Sequence, residues 1–212
     1  MRWRLCVVAL VLLGLGGTTS TSGTQTEQTR ETWQRVSDLF TAMGVRAGAI
    51  VADVGAGDGF LTVRLSSAVG ERGKVYAVDT DEKMTDGLHR RLADARITNV
   101  DVVIGASDDP HLPAGTLDSV IILNAYHEMP EGAVVLRHIL HALKPGGRLV
   151  LCEPVPSTQG QSRAAQMQNH VLGPELVLQD LRTAGFEVVD SQDAFATNFG
   201  GTHFGLVVAK RR

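Results

Sequence analysis

The apolar residues of this chain fall into short runs that are separated by longer amphipathic stretches. Five runs bounded by Gly, Asp or Pro predict strands over residues 50–54, 75–78, 100–104, 120–123 and 149–152. Residues 60–69, 82–95 and 133–143 lie between these runs and have the length of crossover helices. Since the strand runs are almost continuously apolar, both faces of the sheet are expected to be covered. The alternation predicts a doubly wound, mostly parallel α/β sheet.

The two ends of the chain extend this pattern. Helical spacing before Gly44 predicts a leading amphipathic helix with apolar positions at Trp33, Val36, Leu39, Phe40 and Met43. A polar stretch over residues 156–169 predicts a loop, which is followed by a helix over 175–184 and strands over 186–189 and 204–209. Because no internal repeat is visible, we expect a single domain over residues 24–212.

The first residues of the chain indicate targeting. Arg2 and Arg4 precede an apolar run over residues 5–15 and a small, polar segment over residues 16–23, which is the layout of a secretory signal. The apolar part is too short for a membrane-spanning helix, which needs about 20 residues. We therefore expect residues 1–23 to be a signal peptide, the only membrane contact, and the protein to be exported or periplasmic. The alternative is a wrong translation start ahead of a cytoplasmic enzyme.

Composition and charge narrow the classes of partner. The chain has 20 Lys and Arg against 23 Asp and Glu, a net charge of −3, so it lacks the basic excess that nucleic-acid binding needs. Removal of the signal peptide leaves Cys152 as the one cysteine, so no internal disulfide is expected. Cys152 lies within a predicted buried strand and is expected to be a small core residue. The sequence leaves the oligomeric state open.

A glycine-rich loop follows the first predicted strand. Gly55, Gly57 and Gly59 precede the helix predicted from Phe60, and such a loop is expected to present free backbone N–H groups to a ligand at the carboxyl ends of the strands. The dinucleotide fingerprint G-x-G-x-x-G/A needs a small residue where Phe60 stands. This difference disfavours a nicotinamide-dependent oxidoreductase, which we keep as an alternative.

Acidic residues are concentrated at the same predicted edge of the sheet. Asp53, Asp58 and Asp79 would repel a pyrophosphate, whereas they suit a ligand with positive charge such as S-adenosylmethionine. Asp79 directly follows the second strand, 24 residues after Gly55, close to the spacing of about 20 residues used for ribose hydroxyls. Asp81 is better placed to cap the next helix, so Asp79 is predicted to be available for a ribose.

Four segments of the chain, in order, resemble the motifs of class I S-adenosylmethionine-dependent methyltransferases. They are Val-Ala-Asp-Val-Gly-Ala-Gly-Asp-Gly at 51–59 and the segments at 75–79, 117–124 and 143–150, within a resemblance that runs from about residue 34 to residue 210. The resemblance implies a Rossmann-like sheet of seven strands, with a final antiparallel strand over 204–209 inserted beside the fifth. It also implies S-adenosylmethionine as the cofactor and methyl transfer to an acceptor, which we expect to be a small molecule.

The resemblance also implies a set of cofactor-binding residues. The family's adenine-contacting acid follows the third strand, but here Ala106 fills that position, so Asp108 becomes the candidate. The cofactor-binding residues are then expected to be Asp53, Gly55, Ala56, Gly57, Gly59, Asp79, Thr80, Asp108 and Asn124.

Candidate catalytic residues follow the fourth predicted strand. Methyl transfer depends mainly on placement of the reactants, and a base helps only with O–H or N–H acceptors. Tyr126, His127 and Glu128 resemble a segment of some small-molecule methyltransferases and are the catalytic candidates, while Tyr126, Glu153 and His170 are the candidates for acceptor binding. His127 could equally cap a helix or support the cavity wall. A metal ion held by His127, Glu128, Glu153 and His170 is a further alternative. No H-x-x-H or carboxylate spacing supports it, so no metal site is predicted.

The sequence leaves one alternative of a different functional class. A relative that binds S-adenosylmethionine without turnover, and has a regulatory or structural role, would have the same glycine loop and Asp79. Turnover with candidate acceptors distinguishes the two.

Overall fold

The computed structural model describes residues 21–212, with side chains from residue 26 onward. Residues 1–20, most of the predicted signal peptide, lie outside the described residues. The elements follow one another as α1 (Thr21–Trp33), α2 (Val36–Met43), β1 (Ile50–Val54), α3 (Phe60–Val69), β2 (Lys74–Asp79), α4 (Glu82–Asp94), β3 (Val100–Ile104), β4 (Leu117–Leu123), a 3₁₀ turn (Tyr126–Glu128), α5 (Gly132–Ala142), β5 (Leu143–Pro154), α6 (Arg163–Gln168), α7 (Pro174–Ala184), β6 (Glu187–Thr197) and β7 (His203–Lys210).

The seven strands form one mixed sheet in the order β3-β2-β1-β4-β5-β7-β6. Strands β1 to β5 are parallel, and β7 pairs antiparallel with both β5 and β6. The predicted doubly wound sheet, with its antiparallel strand beside the fifth, is confirmed. The strand order reverses between β1 and β4, where chain connections leave in opposite directions and open a crevice at the carboxyl ends.

Helices cover both faces of the sheet. Successive residues of β1 point to opposite faces, so Val51 packs with Leu39 and Leu65 of α2 and α3, whereas Ala52 packs with Ile139 of α5. All five side chains are fully buried. This double burial explains the continuous apolar runs of the central strands, and it fixes their carboxyl ends in place.

Two predicted segments differ from the structure. The leading helix is split into α1 and α2 at Arg35, which takes a left-handed conformation at φ 52°. The Arg35 guanidinium donates to Asp38 and to the Phe195 carbonyl, both at 2.7 Å, and these contacts stabilise the break. The segment expected to be a loop over 156–169 contains α6, which Ser162 caps by accepting from the Ala165 N–H at 3.3 Å.

Helix α1 is attached to the domain through ion pairs. Glu27 pairs with Arg91 of α4, and Glu31 pairs with Arg64 of α3 at 3.0 Å. These contacts hold α1 against the helices that follow β1 and β2, next to the edge of the sheet where the crevice opens. None of the helices within residues 21–212 has both the length and the apolar character needed to cross a membrane.

Candidate functional site

A cavity of about 610 Å³ opens at the carboxyl ends of β1, β2 and β4. Its size is within the range of about 300 to 1,000 Å³ that is typical of small-molecule and cofactor sites. It lies at the reversal of strand order, where ligands bind in sheets of this type. The residues that line it are Arg30, Val54, Gly55, Ala56, Gly57, Asp58, Val78, Asp79, Thr80, Asp81, Met84, Ala106, Ser107, Pro110, Leu123, Asn124, Ala125, Glu128, Met129, Pro130 and Val135.

Two glycines allow the loop after β1 to pass close to its neighbours. Gly55 has a φ of 79°, and a Cβ built on it would lie 2.4 Å from the Ala125 Cβ. Gly59 precedes α3 with a φ of 73°, and its Cβ would lie 2.2 Å from a side-chain carbon of Leu88. Both positions need a residue without a side chain, because positive φ and close approach coincide there. The loop backbone can therefore reach the cavity.

The N–H groups of this loop are already engaged within the protein. Those of Gly55 and Ala56 donate to the Val78 carbonyl at 2.8 and 2.9 Å, and that of Gly57 donates to Asp79 at 2.8 Å. The expectation of free N–H groups at these residues is therefore wrong. The bonds instead tie the loop to β2 and keep its shape fixed.

Asp79, the candidate for ribose binding, lines the cavity. Its two carboxylate oxygens accept from the N–H groups of Gly57 and Asp81, at 2.8 and 3.0 Å. Asp81 caps α4 by accepting from the Lys83 N–H at 2.8 Å, which confirms its predicted role. Because each carboxylate oxygen has two lone pairs, Asp79 keeps capacity for two further donors. Thr80 lies beside it in the wall.

Asp53 is placed beneath the loop rather than in the cavity wall. It is 2% exposed and accepts from the Thr62 hydroxyl at 2.7 Å. Burial raises the pKa of Asp53 to about 6, since desolvation disfavours the charged form. Its contacts indicate that it fastens α3 to β1, so it supports the loop instead of touching a ligand.

Asp108, the sequence candidate for the adenine-contacting acid, is exposed and is not part of the cavity wall. The Ala106 N–H donates to the Asp109 carbonyl at 2.8 Å, which closes a tight turn and leaves Asp108 at its tip. Ala106 and Ser107 line the cavity in its place. The assignment of Asp108 is therefore corrected: the residue after β3 that offers a polar group to the cavity is Ser107.

Asn124 begins the opposite wall at the end of β4. It takes a left-handed conformation with a φ of 56°, which asparagine tolerates better than most residues. Its N–H donates to the Cys152 carbonyl at 2.8 Å. Cys152 itself is buried, as predicted, and burial raises the pKa of its thiol. The turn at Asn124 sends the chain out of the sheet and along the cavity.

Glu153 shapes this wall from within. One carboxylate oxygen accepts from the N–H groups of Ala125 and Tyr126, both at 2.9 Å. The other accepts from the His127 N–H at 3.2 Å and from His127 Nδ1 at 2.7 Å. Glu153 is 3% exposed and does not line the cavity. The predicted contact between Glu153 and an acceptor is therefore corrected, because the protein itself occupies both oxygens.

Tyr126 is also directed away from the cavity. It is 1% exposed, and its hydroxyl donates to Asp180 of α7 at 2.8 Å. Asp180 in turn pairs with Arg163 of α6 at 2.6 Å. Burial, followed by the neighbouring Asp180 charge, raises the pKa of the phenol and disfavours its ionised form. Its predicted catalytic and acceptor-binding roles are replaced by a structural one.

Three sequence candidates come together at the edge of the cavity. Glu128 lines it, and its Oε1 lies 3.7 Å from His127 Nε2 and 3.4 Å from His170 Nδ1. The two imidazole rings meet edge to face with centroids 5.7 Å apart. His127 is buried, whereas Glu128 and His170 are exposed. Since His170 follows Glu128 by 42 residues, local spacing gives no sign of this cluster.

Arg30 of α1 is a member of the cavity wall that the sequence did not indicate. It pairs with Asp58 at 3.0 Å, and its guanidinium lies 4.2 Å from the centre of the Phe60 ring. Arg64 stacks on the same ring at 3.7 Å. Phe60, which departs from the dinucleotide fingerprint, is thus a platform for two cations.

The geometry agrees with comparisons to known proteins. The model of the ubiE/COQ5 methyltransferase family matches residues 26–176. The chain is 33% identical over 126 residues to the demethylmenaquinone methyltransferase of Shouchella clausii, covering 59% of this chain and 53% of that protein. It is 34% identical over 122 residues to the ubiquinone/menaquinone biosynthesis C-methyltransferase UbiE of Escherichia fergusonii, covering 57% and 48% respectively. The chain thus spans about half the length of these curated relatives.

A solved structure extends the similarity beyond the matched segment. The chain superposes on a SAM dependent methyltransferase from Aquifex aeolicus with a TM-score of 0.73 and 25% sequence identity, covering 87% of this chain and 93% of that one.

Proposed function

The chain belongs to the ubiE/COQ5 methyltransferase family, and on that premise we propose that it transfers a methyl group from S-adenosylmethionine to a small-molecule acceptor. The family and the Aquifex aeolicus structure imply this cofactor. The observation that carries the proposal is the cavity at the reversal of strand order, with the fixed glycine loop and Asp79 in its wall.

The charges of the cavity fit this cofactor. Asp58, Asp79 and Glu128 line the cavity and favour a sulfonium and an ammonium over a pyrophosphate. The spare lone pairs of Asp79 suit the two ribose hydroxyls. Because the N–H groups of residues 55–57 are engaged, Arg30 is the group best suited to the cofactor carboxylate. Its Nη1 already donates to both carboxylate oxygens of Asp58, at 3.1 and 3.0 Å.

Bound S-adenosylmethionine supplies an activated methyl group, and the protein's task is placement. The glycine loop and Asp79 hold one wall of the cavity in a fixed geometry. The opposite wall carries Glu128, with His127 and His170 beside it. These three side chains are where a polar group of the acceptor is expected to bind, because Glu153 and Tyr126 are occupied elsewhere.

The names of the relatives suggest the first acceptors to test. Two of them are a demethylmenaquinone methyltransferase and a ubiquinone/menaquinone biosynthesis C-methyltransferase. We propose a reduced quinone with an unsubstituted ring carbon as the first acceptor class. Formation of a methylated product and S-adenosylhomocysteine supports transfer. Cofactor binding without turnover on any acceptor favours the pseudoenzyme alternative.

Calorimetric titration of the full chain with S-adenosylhomocysteine tests the cofactor. Wild type is expected to bind with micromolar affinity, and Asp79→Ala is expected to weaken binding about tenfold or more, because charge-assisted hydrogen bonds contribute about 1.5–3 kcal/mol each. Asp86→Ala is the matched control, since Asp86 is exposed on α4 outside the cavity wall. A folded wild type that binds NADH but not S-adenosylhomocysteine would overturn the proposal.

A further inference from the structure

The cluster of His127, Glu128 and His170 has the separations of metal ligands rather than of hydrogen bonds. Glu128 Oε1 lies 3.7 Å from His127 Nε2 and 3.4 Å from His170 Nδ1, and hydrogen bonds of this type are about 2.7 to 3.2 Å long. Ligands at about 2.1 Å from a tetrahedral ion are separated from one another by about 3.4 Å. One ligand atom from each of the three residues lies within 4.8 Å of the others.

The buried member of the cluster is already oriented for coordination. A carboxylate can only accept, so the contact of 2.7 Å between Glu153 and His127 Nδ1 favours the tautomer with its proton on Nδ1. The lone pair of Nε2 then faces Glu128 and His170. A carboxylate that fixes the tautomer of a ligating histidine is the usual outer partner of such a ligand.

We infer that His127, Glu128 and His170 form a binding site for a first-row divalent transition-metal ion at the edge of the cavity. Two imidazole nitrogens and one carboxylate favour Zn²⁺, Co²⁺ or Fe²⁺ over Mg²⁺ and Ca²⁺, which prefer oxygen ligands alone. Glu128 and His170 are exposed, so their side chains have room to turn toward a common ion.

The site has a consequence for the acceptor, and this consequence rests on the proposed function. An ion with three protein ligands keeps a position for water or for a substrate oxygen. Because Glu128 also lines the cavity, an acceptor hydroxyl or quinol oxygen bound to the ion would be held at the cavity edge. The ion then orients the acceptor.

Metal titration of the full chain, without an affinity tag and after treatment with a chelator, tests the site. Wild type is expected to bind one Co²⁺ with the visible absorption bands of a low-coordinate site, and to bind one Zn²⁺ in calorimetry. His170→Ala and Glu128→Gln are each expected to weaken binding about tenfold or more. Both residues are exposed, so both variants are expected to fold. His89→Ala is the matched control, because His89 is exposed on α4 outside the cluster.

Several outcomes would overturn the inference. One is a wild type that binds neither ion. Another is a His170→Ala variant that binds Co²⁺ as tightly as wild type and as the His89→Ala control do, because the ion would then be held by other ligands. Titration of the metal-free protein with S-adenosylhomocysteine separates this result from the proposed function. Binding of S-adenosylhomocysteine without metal binding overturns only the metal site. Metal binding without binding of S-adenosylhomocysteine overturns only the proposed function.

Discussion

The two walls of the cavity are constructed in different ways. The cofactor wall, residues 55–58 and 79–81, is a backbone structure in which loop N–H groups donate to a neighbouring strand and to Asp79. The acceptor wall, residues 124–130, is shaped by side chains from distant elements, above all the buried Glu153 and the partly buried Asp180. The first wall depends on small residues at fixed spacing, whereas the second depends on single polar groups whose loss leaves buried donors without partners.

The largest expected loss of stability comes from a substitution in the support of the acceptor wall. Glu153→Ala removes the acceptor of three backbone N–H groups and of His127 Nδ1, and each buried donor left without a partner costs about 1–3 kcal/mol. Urea denaturation measures the change in the free energy of unfolding. Glu71→Ala, at an exposed turn, is the control. An unchanged unfolding midpoint for Glu153→Ala would show that this wall does not depend on the carboxylate.

A second prediction concerns the one buried carboxyl beneath the cofactor wall. Asp53 has a pKa of about 6 in the folded chain against 3.8 without burial, so the folded state binds its proton more tightly. The proton on Asp53 therefore stabilises the folded state fully below about pH 4. This stabilisation is lost as the pH rises through 6, and the free energy of unfolding falls by up to about 3 kcal/mol. Asp53→Asn is expected to remove this loss.

Urea denaturation at pH 4, 5, 6 and 7 follows that loss. The exposed Asp86→Asn variant on α4 is expected to keep the wild-type decline. If the free energy of unfolding of Asp53→Asn declines with pH as steeply as that of wild type, the buried carboxyl is not the source of the decline.

The smallest expected loss of stability comes from removing the hydroxyl of Tyr126 while keeping its ring. Tyr126→Phe keeps the buried ring and removes the bond to Asp180, which retains Arg163 as a partner. We expect a loss of about 1.5 kcal/mol in the free energy of unfolding and an unchanged affinity for S-adenosylhomocysteine. Tyr76→Phe on β2 is the control for loss of a hydroxyl outside both walls. Weaker cofactor binding by Tyr126→Phe would mean that the walls are coupled.

The sequence predicted the sheet and the cofactor wall because their signals are local. The helix predicted over residues 60–69 is α3, with the same ends. The strands were found at their predicted places, although β4, β5 and β6 extend further than their apolar runs. An apolar run flanked by a glycine loop specifies the strand, the turn and the helix within a few residues.

The acceptor wall was predicted less well because residue type does not specify direction. Tyr126 and Glu153 have reactive side chains near the carboxyl ends of strands, yet both point into the protein. Asp108 was expected in the cavity, but the turn closed by the Ala106 N–H leaves it exposed. Contacts between His170 and Glu128, or between Arg30 and Asp58, join parts of the chain that no local pattern relates.

The contacts of Glu153 also set an order in which the site is completed during synthesis. The N–H groups of Ala125 and Tyr126 precede their acceptor by 28 and 27 residues, and a nascent chain grows at about 5–20 residues per second from its N-terminus. The β2 residues that fix the glycine loop are made 22 or 23 residues after it and well before β4. On the ribosome, the cofactor wall has all its partners before the acceptor wall has its carboxylate.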